Sequence, residues 1–104
     1  MIQIAICDDS EVSLQNLNQA VTNILKSNHE LAEINLYKES KFINYDISEG
    51  KFFDLILTDI QMPHIDGMEL AANIRKYLPN ALIIFITAHS KYALDAFELS
   101  IFRY

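Results

Sequence analysis

The chain has 104 residues, 51% of them hydrophobic and 21% charged, the balance of one globular domain rather than of a disordered or two-domain chain. Fourteen acidic residues against eight basic ones give a net charge of −6, which disfavours direct binding to nucleic acid or an anionic membrane. A single Cys7 excludes an intrachain disulfide and a multi-Cys metal site, and two Gly with two Pro exclude Gly-rich linkers and Pro-rich tails. The longest apolar run, Ala81–Ile86, is far short of a membrane span. The N-terminus lacks the basic region and cleavage site of a secretory signal, so a reducing, cytoplasmic setting is expected.

Strand and helix signals alternate from the start. Ile2, Ile4 and Ile6 mark a strand over 2–7, broken by Asp8-Asp9-Ser10. Leu14, Leu17, Val21, Ile24 and Leu25 recur at helical spacing, which predicts an amphipathic helix over 10–28 with Ser10 as N-cap and Glu11 favoured by the helix dipole. Ile34 and Leu36 predict a second, shorter strand. Phe42, Ile43 and Ile47 predict a brief helix over 39–49 that ends at Gly50. Residues 55–58 form a compact apolar strand followed by Asp59, and 62–67 have loop chemistry. Leu70, Ala71, Ile74 and Leu78 predict a helix over 67–77, ended by Pro79. Residues 82–86 read as a strand buried on both faces of a parallel sheet, 91–99 as a helix and 102–104 as the opening of a fifth strand. This alternation implies an α/β fold, a doubly wound parallel sheet with right-handed crossovers and helices on both faces.

The chemistry-bearing residues fall at one end of that sheet. Asp8 and Asp9 follow strand 1, Asp59 follows strand 3, and Thr87 follows strand 4. Ligands of open α/β sheets bind beyond the carboxyl ends of the strands, where strand order reverses. If the order is 2-1-3-4-5, strands 1 and 3 are neighbours there and the three carboxylates converge. Like charges 4 Å apart repel by about 4 kcal/mol at an effective dielectric near 20, so either one carboxyl holds a proton or a hard cation sits among them. An all-oxygen donor set with room for water and a phosphoryl group suits Mg²⁺ better than Ca²⁺ or Zn²⁺. An Asp after a strand is often only a helix N-cap, a reading that two adjacent Asp plus a third on strand 3 weaken. Asp54, at the wrong end of strand 3, and Asp66, beside Gly67 in a turn, are assigned no site role, and Asp46 and Asp95 are read as solvated helix residues.

The segments Ala5-Ile6-Cys7-Asp8-Asp9, Asp54-Leu55-Ile56-Leu57-Thr58-Asp59-Ile60-Gln61-Met62-Pro63, Asp66-Gly67 and Ile86-Thr87-Ala88 together resemble a bacterial response-regulator receiver domain. The resemblance runs the length of the chain. It implies a flavodoxin-like, CheY-like sheet of order 2-1-3-4-5. Tyr92-Ala93-Leu94-Asp95-Ala96-Phe97-Glu98 is similar to receivers that precede a LytTR-type DNA-binding domain. Carried over residue by residue, the resemblance implies Asp59 as phosphoacceptor. Asp9, Asp59 and the backbone carbonyl of Gln61 would ligate Mg²⁺ directly, and Asp8 would hold it through water. Thr87 would hydrogen-bond the phosphoryl group, and Tyr104 would be the switch aromatic.

One departure stands out. The family places a Lys shortly after the switch aromatic, followed by a fifth helix, and residue 104 precedes both. The expectation is therefore of a receiver cut short in strand 5, lacking helix 5 and prone to self-association through the uncovered sheet face. The implied function is a phosphorylation switch. A sensor histidine kinase would load Asp59, and output would come from a C-terminal, DNA-binding domain absent from this sequence. Such a domain promotes its own phosphotransfer and is not an enzyme acting on an outside substrate. One rival is a degenerate receiver serving as a phosphorylation-independent interaction module. Another is a phosphatase with an aspartyl-phosphate intermediate, disfavoured because Gln61 stands where such enzymes carry an acid–base Asp. Nucleotide binding is disfavoured by the lack of a Gly-rich phosphate loop.

Overall fold

A computed structural model describes residues 1–59 and 67–86. The elements run β1 (Ile2–Cys7), α1 (Glu11–Ser27), β2 (Ala32–Tyr37), α2 (Ser40–Ser48), β3 (Leu55–Asp59), α3 (Gly67–Tyr77) and β4 (Leu82–Ile86). All strand pairs are parallel, in the order β2-β1-β3-β4, which matches the first four positions of the expected order. The helix expected over 91–99 and the strand expected from 102 lie outside the described residues.

The sheet has an apolar layer on each face. On one, Ala5, Cys7, Ile56, Ile83 and Phe85 pack under Ile43 and Ile47 of α2 and Leu70, Ala71 and Ile74 of α3. On the other, Ile4, Ile6 and Leu57 pack under Leu14, Leu17, Val21 and Leu25 of α1. Period-two alternation along β1 supplies both layers from one strand. Ile24, one of the helical-spaced residues, lies outside that stripe and is exposed, as is Phe42. Phe53 is fully buried, its ring edge-on to Tyr37 at 6.3 Å, whereas its neighbour Phe52 is exposed.

Local signals set the element ends. Ser10 is extended (φ −87°, ψ 118°), and its hydroxyl accepts the Ser13 N–H at 3.3 Å, the expected N-cap of α1. Gly50 lies one residue beyond the C-cap of α2 with φ +100°. Its N–H donates to Ile47 O at 3.1 Å while the Lys51 N–H donates to Asp46 O at 2.9 Å, the paired bonds of a Schellman turn. Strand β2 is longer than its two apolar residues imply, because all six residues from Ala32 to Tyr37 find partners along β1.

At the amino end of the strands, Asp54 has a structural role. Its carboxylate accepts the Gln3 N–H at 2.8 Å, its own N–H donates to Gln3 O at 2.8 Å, and its carbonyl accepts the Leu82 N–H at 2.9 Å. One residue thus satisfies three strands where their ladder begins. Asp46 is not a free solvated residue either. It accepts the Tyr37 hydroxyl at 2.6 Å, fastening α2 to the end of β2.

Candidate functional site

The site is built at the opposite, carboxyl end of the sheet. Strands β1 and β3 pair in register from Ile4↔Leu55 to Cys7↔Thr58, so the residues that follow those last partners emerge side by side. Asp8, Asp9 and Asp59 each place a carboxylate oxygen within 4.8 Å of the other two. This is the convergence expected from the sequence. Among the described residues it is the one such group of potential metal ligands.

The three carboxylates are not equivalent. Asp8 is buried, with 5% of its surface exposed, Asp59 is half-buried and Asp9 is exposed. The Asp8 N–H continues the ladder by donating to Tyr37 O at 3.0 Å. Its carboxylate accepts the Ser10 N–H at 2.9 Å, which ties the pocket to the first turn of α1. Burial pushes the Asp8 carboxyl above the usual carboxylate range; the Ser10 bond opposes this, and the charges of Asp59 and Asp9 add to it. At the rim, the Lys38 ammonium is 3.0 Å from the Glu11 carboxylate, and hydrogen bonding from Lys38 holds that carboxyl below its usual range.

An all-carboxylate donor set with one member raised by burial fits a hard divalent cation. Oxygen donors suit Mg²⁺, and an exposed Asp9 and half-buried Asp59 leave room for the waters that Mg²⁺ retains. Thr87, expected to contact the phosphoryl group, Gln61, expected to ligate through its backbone carbonyl, and Tyr104, the expected switch aromatic, lie outside the described residues.

Beneath the carboxylates is a polar pair that sequence reasoning passed over. Cys7 is fully buried, and burial pushes its thiol up to about 12. Thr58, read as the end of an apolar strand, is also fully buried, and its side chain is hydrogen-bonded to that of Cys7. The Thr58 hydroxyl donates to Asp59 O at 3.1 Å. The available signal was a lone hydroxyl residue in an apolar strand, directly before a site Asp.

Comparison with known proteins accords with this geometry. Residues 4–104 match the family model of the response regulator receiver domain. Over all 104 residues the chain is 33% identical to the transcriptional regulatory protein NatR of Bacillus subtilis (strain 168), covering 42% of that protein. Over 51 residues, 49% of this chain, it is 41% identical to the positive alginate biosynthesis regulatory protein of Pseudomonas aeruginosa, covering 21% of it. The chain thus spans less than half the length of these curated relatives. The crystal structure of the response regulatory domain of MrkE from Klebsiella pneumoniae superposes with a TM-score of 0.84 at 30% identity, over 99% of this chain and 80% of that one. A receiver domain from Clostridium thermocellum superposes with a TM-score of 0.82 at 23% identity, over 100% of this chain and 80% of that one, a likeness of fold. These relatives agree with the LytTR-type resemblance. With its parallel sheet, its paired acidic strands and a family match from residue 4 onward, the chain belongs to the response regulator receiver family.

Proposed function

We propose that this domain is a phosphorylation-dependent switch of a two-component system, with Asp59 as phosphoacceptor. The observation that carries the reading is the convergence of the Asp8, Asp9 and Asp59 carboxylates at the ends of adjacent strands. An Asp59 oxygen attacks the phosphorus of the donor, forming a P–O bond. The donor's bond to phosphorus breaks, and its leaving group departs with the electron pair. The donor is a phosphohistidine of a sensor kinase, or acetyl phosphate in vitro.

Asp9 and Asp59, with the Gln61 carbonyl, would hold Mg²⁺ directly and Asp8 would hold it through water. Bound Mg²⁺ supplies the positive charge that lets a carboxylate approach an anionic phosphoryl group. Asp8 accepts the Ser10 N–H and so keeps its carboxylate aimed between β1 and β3. Thr87 would hydrogen-bond the transferred group and Tyr104 would follow it, biasing a two-state surface. Output is assigned to a DNA-binding domain of LytTR type elsewhere in the protein, in the cytoplasm. The domain accelerates its own phosphoryl chemistry and turns over no outside substrate.

Intact-mass measurement after incubation with acetyl phosphate tests this, with and without Mg²⁺. A chain extended through the family's Lys and fifth helix is run beside this one, each with an Asp59→Asn control. A Mg²⁺-dependent phosphoryl adduct in the extended chain that Asp59→Asn abolishes is the expected result. No adduct in the extended chain, from acetyl phosphate or a partner kinase, would replace the switch with a phosphorylation-independent interaction module.

A further inference from the structure

The strand ends that carry the carboxylates are joined by more than their backbone ladder. Cys7 and Thr58 are register partners on β1 and β3, and each immediately precedes a site residue, Asp8 and Asp59. Both are completely buried, among the apolar side chains under α2 and α3. A hydroxyl there interrupts a strand whose preceding residues are Leu55, Ile56 and Leu57, so it weakens burial unless its hydrogen bonds repay that loss. It has two such bonds. The Thr58 Oγ1–H donates to the Asp59 carbonyl at 3.1 Å, restraining the backbone of the residue that bears the central carboxylate. The Thr58 side chain is also hydrogen-bonded to that of Cys7, its register partner across the two strands. The result is one line of contacts: Asp8–Cys7 on β1, across to Thr58 on β3, and on to Asp59.

We propose that Thr58, through its bonds to Cys7 and to the Asp59 carbonyl, is a positioning residue that fixes the separation of Asp59 from Asp8 and Asp9. Metal and phosphoryl group meet this residue only through the carboxylates it spaces. The proposal rests on the reading of this pocket as an Mg²⁺ and phosphoryl site, but its geometric core can be measured without either ligand.

The test compares Thr58→Val, which keeps the shape and removes the hydroxyl, with Thr58→Ser, which keeps the hydroxyl. Cys7→Ala removes only the cross-strand bond. Three quantities are measured on each: backbone amide shifts of Asp8, Asp9 and Asp59 in the metal-free protein, the Mg²⁺ dissociation constant by calorimetry, and the rate of phosphoryl uptake. Thr58→Val is expected to move the Asp8 and Asp9 amides across the strand and to weaken Mg²⁺ binding roughly tenfold, the scale for losing a group that orients metal ligands. Thr58→Ser is expected to restore both, and Cys7→Ala to fall between. Unchanged Asp8 and Asp9 amides and unchanged Mg²⁺ affinity in Thr58→Val would overturn the proposal. So would a loss in Thr58→Ser equal to that in Thr58→Val, which would make the effect one of packing. If Thr58→Val does not fold, Cys7→Ala decides by the same two readouts. If the extended chain takes up no phosphoryl group while the amide shifts follow the hydroxyl, the switch reading fails and the positioning role stands. If it binds no Mg²⁺ either, the amide shifts alone decide.

Discussion

Replacing Asp8 by Asn should make the metal-free protein more stable while depriving it of metal. The Asp8 carboxylate is almost fully buried and shares a pocket with two others. With oxygens within 4.8 Å of one another, each pair repels by at least ~3.5 kcal/mol at an effective dielectric of 20 and ~0.9 kcal/mol at that of water. Asp9 is exposed and Asp59 half-buried, so the lower figure governs. Asn keeps an oxygen to accept the Ser10 N–H, and two repulsive pairs disappear. Losing both pairs gains about 1.7 kcal/mol, a rise in Tm of roughly 7–14 °C for a domain of this size. The pH dependence has a definite sign. The Asp8 carboxyl titrates above its unfolded value, so the folded state binds more protons between the two values. The Asp8 contribution to wild-type stability is therefore fullest in acid, below the ordinary carboxylate range, and falls as pH rises through the folded value; Asp8→Asn lacks that component of the slope. Excess Mg²⁺ reverses the ranking, because a ligand at a hundredfold over its Kd stabilises wild type by about 2.7 kcal/mol. Thermal melts by circular dichroism, in chelator and in Mg²⁺, from acid to neutral pH, measure all three effects. An Asp8→Asn chain that is no more stable than wild type in chelator at neutral pH, or that keeps the wild-type slope, would refute the reasoning.

Three further outcomes concern the scaffold. Arg75, in the last turn of α3, donates from Nη1 to the carbonyls of Leu78 and Pro79, each at 3.3 Å, and of Ala81 at 2.6 Å, holding the turn into β4. Arg75→Ala should lower stability by about 1.5–3 kcal/mol in urea unfolding, and Lys, without the planar fork, should recover only part of it. Gly50→Ala should cost about 1–2 kcal/mol although its new Cβ meets nothing within 4 Å, because the cost lies in the backbone at φ +100°; equal stability by the same assay would show the turn relaxing. Phe53→Ala empties a completely buried site in the apolar layer under α2 and α3 and should cost about 3–5 kcal/mol, whereas truncating exposed Phe52 should leave the unfolding midpoint nearly unchanged.

What could be read from the residues, and what could not, divides along local and non-local physics. The Ile alternation of β1, the helical spacing of α1 and the Ser10 cap act within a few residues, and the structure reproduces them closely. Asp8, Asp9 and Asp59 were legible because an acidic residue directly after an apolar strand has few structural uses in threes. The role of Asp46 was hidden because its partner Tyr37 reaches it only after α2 folds over the sheet. Asp54 looked idle for a similar reason, since both Gln3 and Leu82 are brought to it by strand pairing. Phe52 and Phe53 are adjacent and of the same type, and the tertiary fold buries one and exposes the other. The first two residues of β2, Ala32 and Glu33, carry little strand signal and are recruited by Ile2 and Gln3.

The adjacency of β1 and β3 also has a consequence for the order in which the protein acquires its chemistry. A ribosome delivers Asp8 and Asp9 early, and β1 can pair with β2 once Tyr37 has emerged. The partner of Ile4 on the other side is Leu55, so the second flank of β1 stays open until the chain has grown through α2. Closing so long a loop is slow relative to local helix formation. A nascent chain ending before Asp59 thus has two of its three acids and no pocket, and it cannot receive a signal before its inner strands have met.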